Sequence, residues 1–130
     1  MSAVKLQQSL INLELALQRL QEALQEPEDN SLVIDGTIQR FEFVIELYWK
    51  TLKRILAYNG IQTHTPRDTL RQAYQANWLN DETLWLQMLN DRNQTSHIYN
   101  EAMARQIYDR IKTYFPEMKQ TIRFLKQNFG

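Results

Sequence analysis

The chain has 130 residues, 15 basic and 15 acidic, with 43% hydrophobic and 23% charged side chains. That length suits one domain, residues 1–130, with its own core, and that composition excludes a disordered chain. The lack of cysteine excludes disulfides and thiolate chemistry, and zero net charge disfavours a histone-like binder of long nucleic acid.

Only three Gly and three Pro punctuate the sequence, which favours a few long helices over many short strands. Leu6, Leu10, Leu13, Leu17, Leu20 and Leu24 alternate four and three apart and predict a helix over residues 4–25, about 33 Å long at 1.5 Å per residue. This reads as one wall of a bundle. Pro27 and the polar run Glu26–Ser31 end it in a loop. A second helix is expected from Asp35 as N-cap, with Ser31 as an earlier start. Its stripe is Ile38, Phe41, Ile45, Tyr48, Leu52 and Ile55. Phe43, Val44, Leu47, Trp49 and Leu56 widen that stripe, so more than one neighbour packs on it. Asn59-Gly60 stops it.

Thr65-Pro66 starts a short third helix with Leu70, Ala73 and Tyr74 inward. Trp78–Asn80 is a turn. Asp81 caps a fourth helix with Leu84, Trp85, Met88 and Leu89 inward. After the polar stretch Asn93–Ser96, apolar spacing resumes through Ala102, Ile107, Ile111, Tyr114, Met118, Ile122 and Leu125. Pro116 should kink or restart this last helix. No apolar run approaches the ~20 residues of a membrane span. The first residues lack the basic head and apolar run of a signal peptide, so a cytoplasmic protein is expected.

Charge is uneven along the chain. Residues 1–30 sum to −3 and residues 91–130 to +3. The latter is either an ordinary solvated helix surface or a local site for phosphate. No Gly-rich phosphate loop, GxSxG or HExxH is present, and no carboxylates are grouped as a metal motif; neither metal nor cofactor is expected. Glu42 and Glu46, four apart, read as surface charges beside Lys50, Lys53 and Arg54. Trp49, Trp78 and Trp85 read as core or dimer interface, and His64 as an inert loop residue.

The distinctive stretch is Asp91-Arg92-Asn93-Gln94-Thr95-Ser96-His97-Ile98-Tyr99. Arg92 and His97 are five apart, about 140° out of line on an unbroken helix. They converge only if the helix ends or bends between them, and the polar run makes a break reasonable. Arg can hold a phosphate by two parallel hydrogen bonds, and His exchanges a proton near neutral pH. Such a pair can cleave a phosphodiester without metal, but the same spacing also suits a capping or surface role.

Arg92-x4-His97-x-Tyr99 resembles the RX4HXY motif of HEPN-domain proteins, the HepT-like toxins in particular. A polar residue such as Asn93 is common there after the Arg. The segment Thr37–Leu52 resembles the second helix of the nucleotidyltransferase substrate-binding proteins, which belong to the same grouping. The resemblance implies an all-α, antiparallel up-and-down bundle, a four-helix core with an extra short helix, forming a homodimer. It implies a separate partner, a minimal nucleotidyltransferase. It implies an RNase toxin with Arg92 and His97 catalytic, Asn93 in support and Tyr99 as the acceptor of AMP. The same fold serves a non-catalytic subunit that presents substrate to the nucleotidyltransferase, and a plain helical dimer is the third reading. Arg40 is a candidate to face the same cleft.

Overall fold

The computed structural model describes residues 3–98 and 100–130. They form α1 (Ala3–Leu24), α2 (Ser31–Tyr58), α3 (Pro66–Gln75), α4 (Glu82–Gln94) and α5 (Glu101–Phe129), with a 3-10 turn at Thr95–His97. There is no strand among the described residues.

The leucine stripe of α1 is buried from Leu6 to Leu20, and Leu24 packs half-buried at its end. Every stripe residue of α2 is buried, together with Val44 and Leu56. Phe43 instead faces solvent. Helix α2 starts at Ser31 because Asn30, in extended backbone, accepts a hydrogen bond from the Leu32 N–H at 2.9 Å. Asp35, the expected cap, therefore lies inside the helix; once nucleated at the earlier cap, the helix propagates through it.

Helices α2 and α3 end alike. Gly60 N–H donates to the Ala57 carbonyl and Ile61 N–H to that of Leu56, with Gly60 at φ +85°. Asn77 N–H donates to Tyr74 and Trp78 N–H to Ala73, with Asn77 at φ +67°. Both are Schellman closures, which need a left-handed residue just past the helix. Thr65 caps α3 by accepting from the Asp68 N–H, and Asp81 caps α4 by accepting from that of Leu84. Tyr74, expected inward, is exposed, because Leu70 and Ala73 already fill the narrow inner face of so short a helix. Ala102 is also exposed: Asn100 caps α5, and its inner face begins at Ala104.

Pro116 neither restarts nor divides α5, which runs unbroken past it. The proline deprives the Lys112 carbonyl of its donor. Lys112 and Pro116 both lie on the exposed side, where water can satisfy that carbonyl.

Contacts between distant residues give the topology. Glu28 meets Arg105 and Tyr48 meets Met118, so α2 and α5 run in the same direction. Glu14 meets Lys126, which sets α1 against α5. Asn80 meets Glu117 and Asp91 meets Arg110, which sets α4 against α5 as well. Helices α1, α2, α4 and α5 thus run up-down-up-down, with α3 the extra short helix before the third leg. The Tyr48 hydroxyl donates to the Met118 carbonyl at 2.5 Å deep in the core, and burial pushes that phenol well above its ordinary pKa.

Candidate functional site

The inner stripe of α4 is Trp85, Met88 and Leu89, and Asp91 continues it. A carboxylate on a buried stripe requires partners. Arg110 supplies two, donating from Nε at 2.8 Å and Nη2 at 2.9 Å, and the Tyr114 hydroxyl donates at 2.5 Å. Asp91 is only 5% exposed. Its hydrogen bond raises the pKa of Arg110, while burial first and Asp91 second push the Tyr114 phenol upward. Asp91 therefore pins the end of α4 to α5 immediately before Arg92.

Arg92 lies in the last turn of α4 and reaches across to α2, where its Nη2 is 3.2 Å from Glu46 Oε2. Its side chain keeps 40% of its surface open to solvent, but Nε is buried and has no hydrogen-bond partner. Glu46 is shared with Lys50 at 3.6 Å. Asn93 is exposed beside Arg92.

The helix then stops. The Thr95 hydroxyl and N–H both donate to the Arg92 carbonyl, and the chain tightens into the turn that ends at His97. The break expected between Arg92 and His97 is present, and His97 is exposed at its far side. Tyr99 lies outside the described residues. Asn100 restarts the chain as the cap of α5, accepting from the Met103 N–H at 2.9 Å.

The start of α5 is fastened to the α1–α2 loop. Glu28 accepts from Arg105 at 2.6 Å and from Lys112 at 2.8 Å, and its backbone carbonyl accepts a second bond from Arg105. Both cations lie over the ring of buried Tyr108, at 5.5 and 5.4 Å from its centre. The Lys112 hydrogen bond and charge, then those of Arg105, hold the Glu28 carboxyl below its ordinary value.

Arg40 does not face this region. It donates to the Arg19 carbonyl on α1 at 2.5 Å, with Glu22 4.0 Å away. His64 is exposed in the α2–α3 connector. Sequence reasoning missed two residues. Glu46 had a nearer sequence partner in Lys50, which hid its link to Arg92. Asp91 carried a readable signal, an acid three residues after Met88 on an apolar stripe. Among the described residues no group of three or more His, Cys, Asp or Glu is placed to hold a metal ion, and no helix is long and apolar enough to cross a membrane.

The fold and this site define a helical-bundle protein in which a helix ends between Arg92 and His97. The family model described as nucleotidyltransferase substrate binding protein like matches residues 8–127. The chain belongs to that family. Over 100 residues it is 34% identical to a Haemophilus influenzae protein described as "Probable ribonuclease HepT", covering 73% of this chain and 68% of that one. A crystal structure of a Thermus thermophilus protein superposes with TM-score 0.81 at 34% identity, over 87% of this chain and 98% of that chain. A second solved structure, from Haemophilus influenzae, is described as revealing the fold of a substrate binding domain of a nucleotidyltransferase. It superposes with TM-score 0.69 at 28% identity, over 96% and 99% of the two chains.

Proposed function

We propose that this chain is a cytoplasmic, HEPN-type ribonuclease toxin that acts as a homodimer and is neutralised by a minimal nucleotidyltransferase. The observation that carries the reading is the end of α4 between Arg92 and His97, in a chain 34% identical to a "Probable ribonuclease HepT". His97 takes the proton of an RNA 2′-hydroxyl, and the freed oxygen attacks the adjacent phosphorus. The bond from phosphorus to the 5′ oxygen breaks, and that oxygen leaves with a proton from a second histidine. Arg92 stabilises the charge on the phosphoryl oxygens, and Asn93 supports it. Products are a 2′,3′-cyclic phosphate and a 5′-hydroxyl, and the chemistry needs no metal. One chain supplies one motif histidine, so acid and base together call for two chains across one cleft.

Tyr99 is the control point. Its phenol oxygen attacks the α-phosphorus of ATP held by the nucleotidyltransferase; AMP is transferred, pyrophosphate leaves and the phenol proton is released. Bulk and negative charge then block a cleft meant for phosphate, by the logic of phosphorylation.

The second reading is a non-catalytic subunit that binds substrate for the nucleotidyltransferase, favoured by the description of the family and of the second solved structure. Purified protein and its His97→Ala variant, matched for oligomeric state by light scattering, should be incubated with RNA in chelator. Cleavage by wild type alone supports the ribonuclease; cleavage by neither supports the substrate-binding subunit.

A further inference from the structure

Helix α2 is graded in charge along the side that meets Arg92. At 100° per residue, Glu42, Glu46, Trp49, Lys50 and Lys53 fall within an arc of about 100°. The carboxylates occupy the N-terminal end of this strip and the ammonium groups its C-terminal end. Glu46 faces two cations at once, Arg92 at 3.2 Å and Lys50 at 3.6 Å. Lys53 Nζ lies 5.9 Å from the centre of the half-buried Trp49 ring, which places the ammonium over an aromatic face. Lys50 is 55% exposed. Lys50 and Lys53 make the C-terminal half of this strip positive on a chain with no net charge, and it is continuous with the arginine of the candidate site.

We infer that this strip is a backbone track for single-stranded RNA, with Lys50 and Lys53 binding phosphates that flank the one held by Arg92. The inference rests on the ribonuclease reading and adds the path of the substrate to it. The gradient sets the direction: the strand leads away from Glu42 and Glu46 toward the C-terminal end of α2. Lysines are compact, mobile cations, suited to phosphates rather than base edges, so the track is indifferent to sequence. In the absence of RNA, Glu46 occupies Arg92 and Lys50, and an arriving phosphate competes with it for both.

The test uses the full-length His97→Ala chain, which should hold RNA without cutting it, and a fluorescent single-stranded RNA. Affinity is measured over a series of salt concentrations. Lys50→Ala with Lys53→Ala in that background should lower affinity about tenfold. It should also flatten the slope of log affinity against log salt by about 1.4, or ~0.7 per lost phosphate contact. The double Lys→Arg variant keeps the charge and should bind like its parent; circular dichroism confirms the fold of each. Unchanged affinity and slope in the Ala variant, with a parent that binds, overturns the track and leaves the ribonuclease standing. The same holds if the Ala variant binds RNA normally but loses the purified nucleotidyltransferase, which would make the strip a protein-docking surface. A parent that neither binds nor, with His97 restored, cleaves RNA overturns both readings.

Discussion

Glu46 on α2 and Arg92 on α4 meet at 3.2 Å, joining the candidate site to a helix far away in sequence. The contact is half-open to water, so it orients Arg92 more than it stabilises the bundle; pairs of this kind contribute about 0–1 kcal/mol. Arg92→Ala should therefore leave the melting temperature within a few degrees of wild type while cutting RNA cleavage by about 10²–10³-fold. Arg92→Lys should recover little, because a point charge cannot make two parallel bonds to phosphate. Cleavage rates beside thermal melts decide it, and an active Arg92→Ala would remove Arg92 from the mechanism.

Asp91 has the opposite character. It is buried, and its removal leaves the inward-facing Tyr114 hydroxyl without its acceptor. Asp91→Ala should cost about 1–3 kcal/mol of stability, read as an earlier midpoint in urea. Replacing Arg110 should cost at least as much, because it leaves the buried carboxylate without the two charge-assisted bonds that Arg110 donates. A clearly smaller loss from Arg110 would mean that the Tyr114 bond alone suffices for the buried carboxylate.

The Tyr48 hydroxyl makes a core bond to the Met118 carbonyl. Tyr48→Phe keeps the ring packed against Trp85 and loses only that bond. The expected loss is about 0.5–1.5 kcal/mol, measured by calorimetry, with the helical content of the folded protein unchanged.

Glu28 should give the bundle an acid-sensitive component. Its folded-state pKa lies below the ordinary 4.5, so the unfolded chain binds the proton more readily than the folded one. The stability it contributes is fully present above pH 4.5 and is lost as pH falls through the lowered value. Melting temperature followed from about pH 7 to about pH 3 should fall less in Glu28→Gln than in wild type. Added salt should narrow the difference, since the group is exposed. Parallel curves at low salt would refute the assignment.

Much of the fold was legible because periodic leucines and isoleucines have few other uses. The stripes of α1 and α2 are buried as read, up to the half-buried Leu24, and the caps Thr65 and Asp81 act where their sequence neighbours suggest. What escaped depends on partners distant in sequence. Asn30 and Asp35 are both competent caps, and only the path of the loop after Pro27 selects the first. Tyr74 has the spacing of an inward residue, yet α3 is too short to bury it. Pro116 breaks a helix on average but not where its orphaned carbonyl faces water. At the site, the break after Arg92 was readable from four polar residues in a row. The Glu46 contact was not, because Lys50 one turn away satisfies the same carboxylate locally.

The short third leg makes the molecule unevenly cohesive. Helices α1, α2 and α5 have 22, 28 and 29 residues, whereas α4 has 13 and passes directly into a three-residue turn. Short elements with solvated ends open at lower free energy than the long helices around them. Amide exchange should accordingly be fast from Gln94 to Ile98, slower at Trp85 and Met88, and slowest in the middle of α2 and α5. A segment that frays on its own can enter the active site of another enzyme while the bundle stays folded.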